Sequence, residues 1–567
     1  MNFWINITRR LHLQKIRNVT VNMKILNTVE LKIKISSLAI ALLICTSVFA
    51  QKKPNIIVIL ADDLGYSDLG CYGSEIPTPN LDKLAQNGVR LTSFYNTARC
   101  CPTRAALLTG VYSHQAGIGH MMDDKGADHP GYRGQLNHNS VTIAEVMNTA
   151  GYFTAMTGKW HVGQQHGVYP SNRGFYRSLH APAGGFYYGE AKNAKLFLNG
   201  QALANDSEKL PKNWYSTDLW TDYGLRFIDE AIDVKKPFVL YLAHNAPHFP
   251  LQAPQEDIDK FKGKYLKGWE KLREERFAKQ IKLGLVDPSW KLPPANPKIP
   301  KWESLSKEEK EKYDNMMAIY AAVIYRLDKS IGDLVAGLKK RGVFDDTVIM
   351  FVSDNGGNAE PGLEGRFEGE KPGSALSTVF IGQGWAEAAC TPFWAYKHHT
   401  HEGGVSSPGI ISWPNGIPAS RNGKFEKQPA HITDIMATLV DLGGAKYPDT
   451  FENNKIQPME GTSLKPAFTG KSINRKNPIF WEHEGNRAIR DGKYKLVAEN
   501  SEKWQLYDIE KDRTELNDLY EKLPEVAKSL EAKYDAWFKR VGAEPFEKTF
   551  KWFYDYDKAK KEAVSGK

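Results

Sequence analysis

Cysteine is scarce in this chain, which has 5 cysteines among 567 residues. One of them lies in the first 50 residues, and the others are Cys71, Cys100, Cys101 and Cys390. So few cysteines exclude the disulfide framework of a small secreted scaffold, although a single Cys71–Cys390 bridge remains open. Cysteine pairs at the spacing of a structural zinc site are absent as well. The chain must therefore fold around an ordinary hydrophobic core, and its length allows one large domain and a smaller one.

A strongly basic folded part is also lacking, although the formal net charge is +9. Residues 1–50 hold seven basic residues against one acid, Glu30, so this leader carries +6 and the rest of the chain only +3. A nucleic-acid-binding domain would concentrate its basic residues on the folded part. We therefore expect no nucleic-acid partner.

The leader lacks an apolar run long enough for a good transmembrane helix. Residues 38–48 form a short apolar stretch that follows two lysines and precedes small residues. This pattern predicts a signal peptide over residues 1–50, with either Met1 or Met23 as the start. Cys45 lacks a good lipobox before it, which makes a lipid anchor the minor alternative. We expect an exported protein, periplasmic or secreted, with no stable membrane insertion.

Three short apolar runs rich in β-branched residues lie at residues 55–60, 237–242 and 347–352. Continuous apolar runs are typical of strands that are buried on both faces of a sheet. Helical patterns lie between them, at residues 140–150 with Ser140 as a candidate cap, and at residues 307–341, which hold one or two helices. This alternation predicts an α/β domain in which helices cover both faces of the sheet.

The pattern changes after about residue 455. Short alternating runs at residues 488–497 and 504–507 predict antiparallel strands, and residues 524–541 predict an amphipathic helix. Residues 251–305 are rich in Lys, Trp and Pro, and we interpret them as an insertion or lid. The predicted parts are a leader (1–50), a large domain (51–455) and a smaller α+β domain built on a short antiparallel sheet (456–567).

Two adjacent cysteines begin the segment Cys100-Cys101-Pro102-Thr103-Arg104. A buried thiol pair, a vicinal disulfide and part of a metal site are the simple interpretations. Adjacent cysteines rarely bond to each other because the bond strains the peptide between them, and a zinc site would need partner cysteines that the chain lacks. The spacing of the first cysteine to the proline and the arginine is therefore the informative feature.

Acidic and amide side chains follow two of the predicted strands. Asp62 and Asp63 come after the first, and Asp354 and Asn355 come after the last. Ligand sites gather at the carboxyl ends of strands in open α/β sheets, and oxygen ligands suit Ca²⁺ or Mg²⁺. Singly, each aspartate is more often a turn or cap residue, but their joint presence with Cys100 favours a metal site.

Together these motifs resemble the type I sulfatases, the formylglycine-dependent enzymes of the arylsulfatase-like branch of the alkaline phosphatase superfamily, over about residues 53–540. The resemblance implies a large mixed central sheet sandwiched by helices. It also implies that a maturation enzyme oxidises Cys100 to formylglycine (3-oxoalanine). A metal, Ca²⁺ or alternatively Mg²⁺, would then be held by a shell of five residues, namely Asp62, Asp63, Asp354, Asn355 and the modified Cys100.

Further motifs match the family in order. Gly158-Lys159-Trp160-His161 would place Lys159 on a sulfate oxygen and His161 beside the formylglycine hydroxyl. The Ala-Pro-His-Phe-Pro segment would supply His248 as the proton donor to the leaving group. The resemblance also implies that Lys397 binds sulfate and that Arg104 contacts the formylglycine side chain. Other histidines that could contact a substrate are more simply interpreted as packed, namely His114, His120, His166, His398 and His399.

The implied activity is hydrolysis of sulfate esters, of sulfated carbohydrate or of aryl or alkyl sulfates. A formylglycine hydrate would attack sulfur and form a covalent sulfate intermediate, which a second hydroxyl then expels. The alternative is a phosphonate or phosphodiester hydrolase with the same nucleophile and metal site. A non-catalytic glycan-binding protein is the third hypothesis, and the intact set of motifs argues against it.

Overall fold

The computed structural model describes residues 53–360, 362–500 and 502–550, together with residues 10–11, 13–15 and 17–18. Met1–Lys53 and Pro54–Lys567 form two separate units, and the fold below is that of the second. The predicted cleavage site after Ala50 lies outside the described residues. None of the helices in the described part of the chain has the length and apolar character needed to cross a membrane.

The strands in chain order are β1 (Asn55–Ala61), β2 (Val89–Tyr95), β3 (Phe153–Lys159), β4 (Arg177–Ala181), β5 (Leu196–Leu198), β6 (Gln201–Leu203), β7 (Phe238–Ala243), β8 (Thr347–Ser353), β9 (Arg366–Glu368), β10 (Thr378–Phe380), β11 (Ser406–Ser412), β12 (Lys424–Glu426), β13 (Ala430–His431), β14 (Thr450–Phe451), β15 (Asn454–Lys455), β16 (Ile479–His483), β17 (Asn486–Asp491), β18 (Tyr494–Ala498) and β19 (Gln505–Asp508).

The helices are α1 (Pro79–Gln86), α2 (Cys100–Thr109), α3 (Ile143–Thr149), α4 (Ser216–Asp233), α5 (Gln255–Ile258), α6 (Trp269–Leu283), α7 (Lys307–Lys340), α8 (Gly382–Ala389), α9 (Glu402–Val405), α10 (Asp434–Gly443), α11 (Lys465–Phe468), α12 (Pro524–Val541) and α13 (Phe546–Thr549).

Eleven of the described strands form one central sheet, in the order β12-β2-β11-β8-β1-β7-β3-β4-β5-β6, with β13 beside β2. Strand β1 runs parallel to β7 and β8, whereas β11 runs antiparallel to β8 and β2. The sheet is therefore mixed. Every residue of β1, β3, β7 and β8 is buried, which explains why these strands read as continuous apolar runs.

Alternate side chains of β1 enter two separate hydrophobic clusters. Ile57 and Ile59 belong to the cluster formed with α4 and α7, while Ile56 and Val58 belong to the one formed with α2, α3 and α10. Because successive side chains of a strand point to opposite faces, each face of the sheet carries its own core and its own layer of helices. The predicted α/β sandwich is confirmed.

Local capping chemistry sets where two helices begin. Helix α3 begins after Thr142, whose side chain forms a reciprocal capping box with Glu145, so the predicted cap at Ser140 is wrong by two residues. Helix α7 begins after Ser306 with the same motif and continues unbroken to Lys340. The capping box satisfies backbone N–H groups that the first helical turn leaves free.

Residues 251–305 are not a separate lid. Helix α6 lies in this segment, and its Trp269 packs against Trp302 and Trp385 with ring centroids 4.9 and 5.5 Å apart. Arg276 is buried and binds Asp68 at 2.8 Å and Glu75 at 2.9 Å. The segment lacks a clear apolar period because aromatic rings and a buried ion pair attach it to the core together with scattered aliphatic side chains such as Leu272.

The C-terminal strands β16 to β19 form a four-stranded antiparallel sheet. Helix α12 packs on one face through Leu530, Tyr534 and Trp537, and its bounds are those predicted. The other face packs against the large domain through Trp481, whose indole N–H donates to the Asn96 carbonyl at 2.7 Å. The predicted smaller α+β unit is confirmed, although β16 was not predicted.

The described cysteines are all free and buried. The bridge between Cys71 and Cys390 that the sequence left open is therefore not formed. Cys390 instead accepts a hydrogen bond from the Gly357 amide at 3.1 Å. The Cys100-Cys101 pair is likewise not a vicinal disulfide.

Replacing Arg276 by alanine tests whether residues 251–305 belong to the core. Arg276→Ala leaves the fully buried Asp68 without its charged partner, and breaking a buried pair in this way costs about 3–5 kcal/mol. Urea denaturation measures the loss. The matched control is Arg226→Ala, which removes a half-exposed ion pair with Asp222 and should change stability little. Equal, small effects of both substitutions would contradict the core assignment.

Candidate active site

The carboxyl ends of β1 and β8 bring the predicted acids together. The two strands are parallel neighbours with Ala61 opposite Ser353, so the residues that follow them meet at one edge of the sheet. The Asp63 amide donates to Asp354 Oδ1 at 3.1 Å, and Asn355 Nδ2 donates to Asp63 Oδ1 at 2.7 Å. Four oxygen-bearing side chains therefore share one buried site.

Three buried cations surround these acids. Lys159 Nζ lies 2.7 Å from Asp62 Oδ2, and Lys397 Nζ lies 2.9 Å from Asp63 Oδ1. Burial lowers the pKa of Lys397, but the charges of Asp63, Glu360 and Cys100 together raise it above its ordinary value. Burial also lowers the pKa of Lys159, but the charges of Asp62 and Cys100 raise it above its ordinary value. Both lysines therefore remain positively charged.

Arg104 holds the two acidic strand ends together. Its Nη2 atom lies 3.0 Å from Asp354 Oδ2 and 3.4 Å from Asp62 Oδ2, and its Nη1 atom donates to the Lys159 carbonyl at 3.0 Å. The side chains of Arg104, Asp62 and Asp354 are fully buried, and Lys159 is 1% exposed. The resemblance had implied a contact between Arg104 and the modified side chain of Cys100, and the structure adds a bridge between the two carboxylates.

Cys100 is the first residue of α2, where the helix dipole and the free N–H groups favour negative charge. A hydrogen bond from Cys101 lowers the pKa of the Cys100 thiol well below its ordinary value, against the effect of burial, and Lys159 and His161 lower it further. Burial raises the pKa of Cys101. The two neighbouring thiols therefore differ in acidity, and Cys100 is the more acidic of the two.

Thr103 fixes the beginning of α2 against the sheet. Its hydroxyl donates to the Asp354 carbonyl at 2.7 Å, and its oxygen accepts from the Thr97 amide at 3.0 Å. Thr103 and Arg104 therefore attach the first turn of α2 to Asp354. This explains why an α-helix begins at Cys100 at the edge where the acids gather.

The acids fit a divalent cation. Asp62 Oδ1 and Asn355 Oδ1 are buried and make no hydrogen bond to any described residue, so two oxygen atoms are available as ligands. Burial and the nearby charge of Asp62 raise the pKa of Asp354 well above its ordinary value. Burial alone would also raise the pKa of Asp62, but Lys159 and other cations lower it. A divalent cation would relieve this repulsion, and the all-oxygen donor set suits Ca²⁺ or Mg²⁺.

The two predicted histidines have different neighbours in the site. His161 lies with Cys100 and Cys101, their side-chain ligand atoms within 4.8 Å of one another. Burial and the charge of Lys159 lower the pKa of His161 to about 4. His248 Nε2 lies 3.6 Å from Asp63 Oδ2, and its Nδ1 lies 2.6 Å from the Phe249 carbonyl. A carbonyl only accepts, so Nδ1 carries a hydrogen and Nε2 faces the acids.

Glycine at position 158 lets β3 approach β7 closely enough to deliver Lys159. Its φ is +105°, and a Cβ at this position would lie 1.9 Å from the Ala243 carbonyl oxygen. Any side chain would force the strands apart. The glycine before the lysine is therefore a geometric requirement of the site.

Sequence reasoning missed Asn358 and the function of Arg99. Asn358 Nδ2 donates to Asp63 Oδ2 at 2.5 Å, and it could have been noticed as a further oxygen-bearing side chain three residues after Asn355. Arg99 precedes Cys100 and binds Glu360 at 2.5 Å. No local pattern signals that pair, because its partners are separated by 261 residues.

The five histidines interpreted as packed all have protein partners. His114 binds Glu482 at 2.8 Å and is buried, and His399 binds Glu499 at 3.1 Å. His166 binds the Met122 carbonyl. His120 and His398 both bind Glu484. His398 also binds Glu360, which is the partner of Arg99.

Comparison with known proteins agrees with this geometry. The sulfatase family model matches residues 54–445, and the model for the C-terminal part of N-sulphoglucosamine sulphohydrolase matches residues 393–539. An uncharacterized sulfatase of Schizosaccharomyces pombe is 35% identical over 517 residues, which cover 85% of this chain and 92% of the relative. The arylsulfatase of Klebsiella aerogenes is 33% identical over 443 residues, which cover 75% and 94%.

Among solved structures, that of Ps i-CgsB in complex with k-i-k-neocarrahexaose is 29% identical, has a TM-score of 0.63 and is matched over 86% of this chain and 93% of its own. The family model covers well over half of the chain, and both curated relatives exceed 30% identity. This chain belongs to the sulfatase family of the alkaline phosphatase superfamily and is a sulfuric ester hydrolase.

Proposed function

We propose that the chain hydrolyses sulfate esters of a sulfated oligosaccharide, with formylglycine made from Cys100 by a maturation enzyme. The observation that carries the proposal is the position of Cys100. It begins a buried helix, beside two charged lysines and a neutral histidine, and faces a cluster of acids. We further propose that residues 1–50 direct export to the periplasm or medium, and that residues 51–455 and 456–567 are the catalytic and C-terminal domains.

Ca²⁺, or alternatively Mg²⁺, would be held by Asp62, Asp63, Asp354, Asn355 and the modified Cys100. The cation would neutralise sulfate oxygens, and the formylglycine hydrate would offer one hydroxyl to attack sulfur and another to expel sulfate. Support comes from the unbonded, buried oxygens of Asp62 and Asn355.

The two lysines would bind the sulfate group. Lys159 and Lys397 lie on either side of the acids and remain charged. Fixed positive groups in a buried site stabilise developing negative charge without reorganising. Their present partners, Asp62 and Asp63, are proposed metal ligands, so metal binding would leave both ammonium groups free to contact sulfate oxygens.

Two histidines would move protons. The low pKa of His161, about 4, keeps its imidazole neutral, so it can accept a proton from the nucleophile side. His248 holds its Nδ1–H on the Phe249 carbonyl, so Nε2 donates a proton to the departing alcohol only from the imidazolium form. Burial lowers the pKa of His248, whereas the charges of Asp62 and Asp63 favour the imidazolium.

The substrate side of His248 is aromatic. Phe249 stacks on the His248 ring and on Phe380, each with centroids 4.1 Å apart, and Phe249 is only half-buried. Such a flat apolar surface suits the face of a sugar ring. The structure of Ps i-CgsB, 29% identical, contains an oligosaccharide, which supports a sulfated-glycan substrate here. The phosphonate or phosphodiester alternative gains no support from the relatives, which are named as sulfatases.

The first test concerns the identity of the nucleophile. Mass spectrometry of the peptide containing Cys100 should show an aldehyde in place of the thiol, and Cys100→Ala should abolish sulfate release from an aryl sulfate. Cys101→Ser is the matched control, since it changes the neighbouring thiol and should keep both the aldehyde and the activity. Full activity in a preparation with an unmodified thiol at Cys100 would refute the proposal.

The second test concerns proton donation by His248. His248→Gln should lower kcat by about 10²–10⁴-fold on a sugar or alkyl sulfate, whose leaving alcohol needs a proton. The loss should be much smaller on nitrophenyl sulfate, whose leaving group departs as a stable anion.

Lys397→Ala is the control for this comparison. Lys397 is proposed to contact sulfate rather than the leaving group, so its removal should slow both substrates by a similar factor. If His248→Gln also slowed both substrates equally, His248 would not be the proton donor.

A further inference from the structure

Three histidines surround one carboxylate close to the segments that carry Cys100 and Lys397. Glu484, in the turn between β16 and β17, accepts at Oε1 from His120 Nε2 at 3.0 Å and at Oε2 from His398 Nδ1 at 2.9 Å. His483 Nε2 lies 3.5 Å from Glu484 Oε1. The ring of His483 lies 5.4 Å from that of His120 and 5.7 Å from that of His398.

His483 is the unusual member of this cluster. Its side chain is fully buried, yet neither of its ring nitrogens makes a hydrogen bond to any described residue. Burying an imidazole without partners is costly, and packed histidines normally satisfy at least one nitrogen. Since Nε2 lies 3.5 Å from the Glu484 carboxylate, the arrangement points to a missing ligand between them.

The spacing of the ligand atoms fits a tetrahedral metal site. His120, His483 and Glu484 each offer one atom, and these atoms lie within 4.8 Å of one another. Zinc bonds of about 2.0–2.1 Å place neighbouring ligand atoms about 3.3 Å apart in a tetrahedron. The 3.0 and 3.5 Å separations from Glu484 Oε1 bracket that value.

His398 borders this cluster without belonging to it. Its Nδ1 binds Glu484 Oε2 at 2.9 Å and its Nε2 binds Glu360 Oε1 at 2.8 Å, and Arg99 Nη1 contacts both ring nitrogens. Carboxylates that bind a metal are commonly held in place by hydrogen bonds from outside the site. His398 therefore stands where an outer partner of Glu484 would stand.

We propose that His120, His483 and Glu484 form a second metal site of the Zn²⁺ class, with a water in the fourth position. Imidazole nitrogens with one carboxylate suit zinc or a similar transition metal, whereas the all-oxygen set of Asp62 and its neighbours suits Ca²⁺. The two sites therefore select different ions. The inference rests on the histidine cluster and not on the proposed sulfatase mechanism.

The site would join two parts of the fold. His120 lies after α2, whereas His483 and Glu484 lie at the hairpin of the C-terminal sheet. An ion between them would fix that hairpin to the segment after α2, and Glu484 would hold His398, the neighbour of Lys397, through their hydrogen bond. We expect it to stabilise the fold and to shape substrate access without taking part in the chemistry.

Metal titration of the purified full chain tests the site. Zn²⁺ binding, followed by elemental analysis after removal of loosely bound ion, should show one equivalent more in the wild type than in His120→Ala or Glu484→Gln. Co²⁺ should give the visible absorption bands of a tetrahedral site in the wild type only. His398→Ala, which removes the outer partner of Glu484, should weaken binding about 10–100-fold.

His129→Ala is the matched control, because His129 forms a histidine–carboxylate pair with Glu544 at 2.7 Å but belongs to no cluster of three ligands. It should retain the extra equivalent. The proposal is overturned if the wild type binds no more Zn²⁺ than His120→Ala, or if His129→Ala loses as much. Should Glu484→Gln fail to fold, His120→Ala at the partly exposed side carries the same comparison. Each readout is independent of sulfatase activity.

Discussion

The compensation of buried charge at the ends of β1 and β8 is the constraint on which the rest of the structure depends. Three carboxylates lie there with at most 1% exposure, and Lys159, Lys397 and Arg104 are equally buried. An unpaired charge in such a place is far more costly than the pair is favourable. The strands, α2 and the loop of Lys397 must therefore be in place together, because each supplies charge that another part needs.

Strand geometry turns this requirement into a catalytic arrangement. Parallel pairing of β1 with β7 and β8 places three strand ends at one edge, and Gly158 lets β3 bring Lys159 to the same point. Addition of a divalent cation would reverse the local balance, since the acids would then pair with the ion. The acids position both lysines now, and under the proposed function metal binding would release them for sulfate without moving the strands.

The sequence was informative wherever the signal was local. The runs that became β1, β7 and β8 are continuous and apolar because both faces are buried, and the motif around Cys100 lies on one helical turn. The contacts that could not be predicted join residues that are far apart in the sequence. Glu484 meets His120 across 364 residues, and Arg276 meets Asp68 across 208. No periodicity encodes such pairs, since they arise only when the sheet and its helices are assembled.

The C-terminal sheet is mechanically part of the active site. Lys495 and Arg513 bind the buried Glu402 at 2.9 and 2.6 Å, and Glu402 follows the loop that carries Lys397. Trp481 binds the Asn96 carbonyl, four residues before Cys100. The C-terminal part thus holds the segments that carry Cys100 and Lys397. A change in the β16–β17 hairpin can therefore alter substrate selection without touching a reacting group, because it moves the segments on which those groups stand.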